Sequence, residues 1–105
     1  MQQKHVFEHV IDERGSKYSA AVLRNDGRLV IEMHDFGTSV SDAFGRREYE
    51  AFQSYSPDET ATIRSLLGSE DVIAAIGDRF TKSRELTDYL REHQIIGSFW
   101  SDLSD

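Results

Sequence analysis

"KYSAAVLRNDGRLVIEMH", residues 17–34, decides the fold class. Two apolar arms flank Asn25-Asp26-Gly27, and an Asp-Gly pair tolerates the positive φ that a two-residue hairpin turn requires. In the second arm Leu29, Ile31 and Met33 alternate with Val30, Glu32 and His34, the period-2 pattern of a strand with one buried face. The stretch therefore predicts an antiparallel hairpin. Upstream, "HVFEHVI" (5–11) reads as another strand, turning through Arg14-Gly15-Ser16. Downstream, "EYEAFQSY" (48–55) reads as a fourth strand with poorer alternation.

At Ser56 the period changes to that of helices. In "SPDE" the Ser56 hydroxyl can cap the Glu59 amide, Glu59 can reach back to the Ser56 amide, and Pro57 sits in the first turn, where no amide partner is lost. Ile63, Leu66 and Leu67 make the apolar stripe, and Gly68 ends the helix as a left-handed cap. Ser69 is expected to cap a second helix, with Val72, Ile73, Ile76 and Phe80 facing inward. Ser83 opens a third, striped by Leu86, Tyr89 and Leu90. "IIGSFW" (95–100) then reads as a packed extended segment, with Trp100 expected to dock back and close the core. If exposed instead, Trp100 with Tyr49, Phe52 and Tyr55 would make a partner-binding hot spot. The order predicts one α+β domain over 1–105: an antiparallel four-stranded sheet (a β-meander plus one strand) followed by three helices packed on one face. The opposite face must then be wet or covered by another chain, of which a homodimer is one form.

Bulk composition narrows the function classes. The chain has 105 residues, 38% hydrophobic and 30% charged, a globular mixture. It contains no apolar run long enough to cross a bilayer and no apolar signal core, so the expectation is a cytoplasmic protein without membrane contact. With no cysteine, disulfides, thiol nucleophiles and thiolate zinc sites are excluded. The net charge is −7, and the excess lies in the second half: residues 1–55 hold 9 acidic and 7 basic groups, residues 56–105 hold 10 and 5. Such a field repels phosphate backbones and attracts basic proteins.

The chemical motifs are sparse. Asp35-Phe36-Gly37 matches three letters of a kinase signature, but the glycine-rich loop, the strand lysine and the second lobe are missing. It reads better as a turn ending a strand, and "SVSDAF" (39–44) after it as one helical turn stopped by Gly45. His5 and His9 lie on one side of a strand about 13 Å apart, too far to share an ion. His9 and His34, with Asp35 nearby, could meet across strands, and His93 stands apart near the end of the third helix. Glu48 and Glu50 project to one face and read as a solvated edge. There is no nucleophile elbow, and the seven glycines are dispersed. The expectation is a non-enzymatic domain with no cofactor and no metal.

Three stretches, "DGRLVIEMHDFG" (26–37), "REYEAFQSYSPDE" (47–59) and "REHQIIGSFWS" (91–101), resemble a group of small uncharacterised bacterial α+β proteins. The resemblance implies one compact domain ending near Trp100, and brings no activity or site residues. The leading expectation is therefore a protein-binding domain, in its specific form an immunity or inhibitor protein neutralising a basic partner such as a nuclease toxin. Glu48, Glu50, Glu70, Asp71, Asp78 and Trp100 are its candidate contacts. The alternatives are a structural or regulatory homodimer, and a small enzyme or metal-binding protein using His34 and Asp35.

Overall fold

The computed structural model describes residues 3–13, 15–37 and 47–104. Within them, strands β1 (Gln3–Asp12), β2 (Gly15–Leu23), β3 (Leu29–Gly37) and β4 (Arg47–Tyr55) precede helices α1 (Pro57–Leu67), α2 (Val72–Arg79) and α3 (Ser83–Glu92), and strand β5 (Ser98–Ser104) closes the chain. All five strands form one antiparallel sheet in chain order. The fold is α+β as expected, with one strand more. "SFWSDLS" lies along β4, pairing Ser98 with Ser54, Phe99 with Gln53 and Trp100 with Phe52. The β4 edge supplies the hydrogen bonds that its own polar sequence does not advertise.

The deciding hairpin forms, but its loop has three residues rather than two. Leu23 pairs with Leu29, the Arg24 amide donates to the Arg28 carbonyl at 2.9 Å, and the Gly27 amide donates to the Arg24 carbonyl at 3.0 Å. Gly27 takes φ +91°, while Asn25 and Asp26 stay at negative φ. That is a type I turn closed by a left-handed residue, so only one position needs the freedom of glycine. Asp35-Phe36-Gly37 is not a turn. It is the end of β3, paired with Lys17, Ser16 and Gly15 on one side and with Tyr49, Glu48 and Arg47 on the other. Two neighbouring strands satisfy its backbone, and extended geometry wins over local turn chemistry. The helical turn expected for 39–44 lies outside the described residues.

The helices cover one face. Ala21, Leu29, Ile31 and Tyr55 from the sheet meet Ile63, Leu67, Val72, Ile73, Ile76, Leu86, Leu90 and Ile95 in a single core, with Phe7, Leu23, Leu66, Phe80 and Tyr89 at its margin. Each fully buried Leu or Ile contributes about 1.5–3 kcal/mol. Cover is uneven along the strands. Ala20–Val22, Leu29–Ile31 and Tyr55 are buried, whereas Ser16–Tyr18, Glu32–Gly37 and Glu48–Glu50 are partly or fully accessible. One end of the sheet thus projects beyond the helix layer, in a molecule 48 Å in its longest extent.

The capping box at Ser56 is present, with the Glu59 amide donating to the Ser56 hydroxyl at 3.1 Å and the Ser56 amide donating to Glu59 Oε1 at 3.0 Å. The second helix is capped by Asp71 rather than Ser69: its carboxylate accepts the Ala74 amide at 3.1 Å. Glu59 also reaches further than a cap. Its Oε2 accepts the Gly97 amide at 3.1 Å, tying the start of α1 to the lead-in of β5. Glu59→Ala removes both acceptors and is expected to lower stability by about 2 kcal/mol, read as the shift of the urea midpoint. A loss below about 0.5 kcal/mol would mean that water replaces both bonds without cost.

Candidate functional site

Strand alternation and register decide which side chains share the helix-free face. On β3 the core residues Leu29 and Ile31 point to the helices, so Val30, Glu32, His34 and Phe36 point away. The β3–β4 register then sets His34 opposite Glu50, Glu32 opposite Phe52, and Phe36 opposite Glu48. On β2, Tyr18 is the partner of His34 and Ala20 the partner of Glu32. On β5, Trp100 is the partner of Phe52.

Two groupings result. In the first, His34 Nε2 stands 2.9 Å from Glu48 Oε1 and 3.7 Å from Glu50 Oε1, and all three side chains are about 40% accessible. The direct pair and the diagonal pair converge because Cβ atoms on one face of adjacent strands lie within reach of long side chains in both positions. In the second, the Phe52 and Trp100 rings pack with centroids 5.3 Å apart and a 33° tilt. Trp100 remains 51% exposed, so it does not close the core as expected. It lies over the outer face of the sheet, with the core on the other side. Val6 and Ile11 on β1 are exposed as well.

The other candidates separate. Glu48, Glu50 and Trp100 share the helix-free face, while Glu70, Asp71 and Asp78 belong to the helix layer behind the sheet. Asp71 is committed to its cap, and the Glu70 carbonyl accepts from Arg64 Nε at 3.1 Å. The six therefore form two surfaces. Tyr49, Phe52 and Tyr55 also divide, since Tyr55 is in the core and only Phe52 has the parity to reach Trp100. Glu48 and Glu50 are not on a sheet edge, because β5 covers that side of β4.

The histidines do not converge. A bulge between Val6 and Glu8 inserts Phe7 toward the core and reverses the parity of β1. His5 consequently faces α2, where its ring lies close to Gly77, while His9 faces outward edge-on to Tyr18. The two are on opposite faces, not one. His9 and His34 are separated by β2, and Asp35, next to His34 on an extended strand, projects to the other face. His93 caps α3, its Nδ1 2.9 Å from the Tyr89 carbonyl. The carboxylates beside His34 are thus Glu48 and Glu50, an association that depends on a register invisible from either strand alone. Comparison of the chain with known protein families, with curated proteins and with solved structures finds no match in any of the three.

Proposed function

We propose that the chain is a non-enzymatic protein-binding domain that receives a basic partner on the helix-free sheet face, in the manner of an inhibitor or immunity protein masking a cationic enzyme. The observation that carries this reading is the exposed Trp100, stacked on Phe52, with Glu32 opposite Phe52 on β3 and Glu50 and Glu48 further along the same face of β4. A rigid aromatic anchor with carboxylates around it suits Arg and Lys side chains, which pack on aromatic faces and pair with acids. The net charge of −7 adds long-range attraction for the same partner. Glu70, Asp71 and Asp78, on the other side of the molecule, act only through that general field. No helix among the described residues is long and apolar enough to cross a membrane.

The test places a photo-crosslinking residue at position 98, two residues from Trp100 and on the same face of β5, captures the neighbour in the source cell, and titrates the purified neighbour in vitro. The expected neighbour is a strongly basic protein. Trp100→Ala should weaken its binding about 30-fold, the effect of losing a roughly 2 kcal/mol hot spot. The Glu48→Gln/Glu50→Gln pair should slow association and flatten its salt dependence. Capture of a second copy of this chain, with a dimer in light scattering, would establish the homodimer reading in its place. Binding that is unchanged by Trp100→Ala would remove the face from the interface.

A further inference from the structure

We infer that His34, Glu48 and Glu50 form a binding site for a divalent transition-metal ion of the zinc class on the projecting end of the sheet. The nearest ligating atoms of the three side chains all lie within 4.8 Å of one another. Zinc bonds of about 2.0–2.2 Å to nitrogen and carboxylate oxygen place neighbouring tetrahedral donors about 3.3 Å apart. The two separations from His34 Nε2, 2.9 Å to Glu48 and 3.7 Å to Glu50, bracket that value. Small rotations about the glutamate χ angles would bring the donors onto an ion without moving the backbone.

The donor set and its support point the same way. One imidazole nitrogen with two carboxylates favours zinc, manganese, iron(II), cobalt or nickel over calcium and magnesium, which take oxygen ligands. All three residues lie on adjacent paired strands with neighbours on both sides, so the ladder holds the ligand positions in register. Two negative charges and a neutral imidazole balance a divalent ion. Three protein donors leave a position for water or for a group from another molecule. The site rests on these three side chains alone and is independent of whether a basic protein docks on the same face.

The experiment is calorimetric titration of the purified chain with zinc chloride at pH 7.5, repeated with magnesium. One equivalent of zinc is expected to bind with a dissociation constant on the order of micromolar, with no competition from millimolar magnesium. Glu48→Gln and Glu50→Gln should each weaken binding about tenfold or more, and His34→Ala should abolish it, while His93→Ala leaves it unchanged. These side chains are partly exposed, and far-UV circular dichroism is the check that each variant keeps its fold. Co²⁺ added in place of zinc reports the imidazole–carboxylate ligation through visible absorption bands that His34→Ala removes. No zinc binding by the wild-type chain below millimolar concentration, or binding that survives His34→Ala, overturns the site.

Discussion

Gly97→Ala is expected to lower folding stability by about 3–5 kcal/mol, while Gly68→Ala lowers it by only about 1 kcal/mol. The two glycines have nearly the same backbone, φ +66° at Gly97 and +68° at Gly68, so the conformational penalty for a side chain is shared. Their surroundings differ. A Cβ at Gly68 meets nothing within 4 Å, whereas at Gly97 it falls 2.5 Å from the Ser54 carbonyl oxygen and 2.9 Å from both Gln53 Nε2 and Tyr55 Cδ1. The first of these is backbone of β4 and cannot rotate aside. Relief requires β5 to move off β4, with loss of the bond from the Gly97 amide to Glu59 and of that from Gln53 Nε2 to the Ile96 carbonyl. Urea titration followed by the fluorescence of Trp100, the chain's single tryptophan, measures both variants on one reporter. Equal losses at the two positions would show that backbone conformation alone sets the cost, and that the close approach of β5 to β4 contributes nothing.

That close approach is also where the sequence was hardest to read. The hairpin of residues 17–34 and the capping box at Ser56 are local devices, each completed within a few residues, and both are present. Features that depend on a distant strand were not readable in advance. β5 contains three serines and an aspartate in seven residues, and becomes a strand only because β4 offers an unpaired edge. Asp35-Phe36-Gly37 has turn chemistry, but two flanking strands hold it extended. The Phe7 bulge is equally invisible: alternation from His5 already puts Phe7 on the core side, and the extra residue changes the face of everything after it. That single insertion is what sends His5 and His9 to opposite faces.

The same distinction governs the site. Glu48 and Glu50 share a face by spacing alone, and this much the sequence shows. Joining them to His34 needs the register between β3 and β4, which sets His34 opposite Glu50 and cannot be read from either strand alone. The pairing of His34 with Asp35 could have been rejected from alternation, since neighbours on a strand cannot serve one face. Trp100 teaches the complementary lesson. A lone tryptophan near a chain end is usually core, but the β5–β4 register gives it the parity of Phe52, and Phe52 has the opposite parity to Tyr55. The exposure of Trp100 on the same face as the His34 cluster is therefore one geometric consequence, and the proposed partner face depends on it.

Alkali is expected to remove about 2–3 kcal/mol of stability between pH 10 and pH 12 through one side chain, Tyr55. Tyr55 is 1% exposed, at the junction of β4 with the helix layer. Burial pushes its phenol up to about 12, with the negative charge of Glu59 adding to the effect and Arg91 opposing it. In the unfolded chain the phenol ionises near pH 10. Below pH 10 both states keep the proton and the contribution of Tyr55 is fully present. Above it the unfolded state releases the proton first, and folding loses ground until the folded phenol also ionises. Tyr55→Phe fills nearly the same volume and cannot ionise, so its stability should fall less steeply over this range. Every other side chain is common to both proteins, and the difference between the two curves isolates Tyr55. Two curves that stay parallel from pH 9 to pH 12 would mean that the folded phenol ionises as easily as a free one. Tyr55 is flanked in sequence by Ser54, whose carbonyl Gly97 approaches, and by Ser56, the cap of α1. Opening the core at Tyr55 therefore releases β5 as well. Trp100 should report the alkaline transition at the same pH as far-UV circular dichroism, because the face that carries it cannot outlast the core that Tyr55 seals.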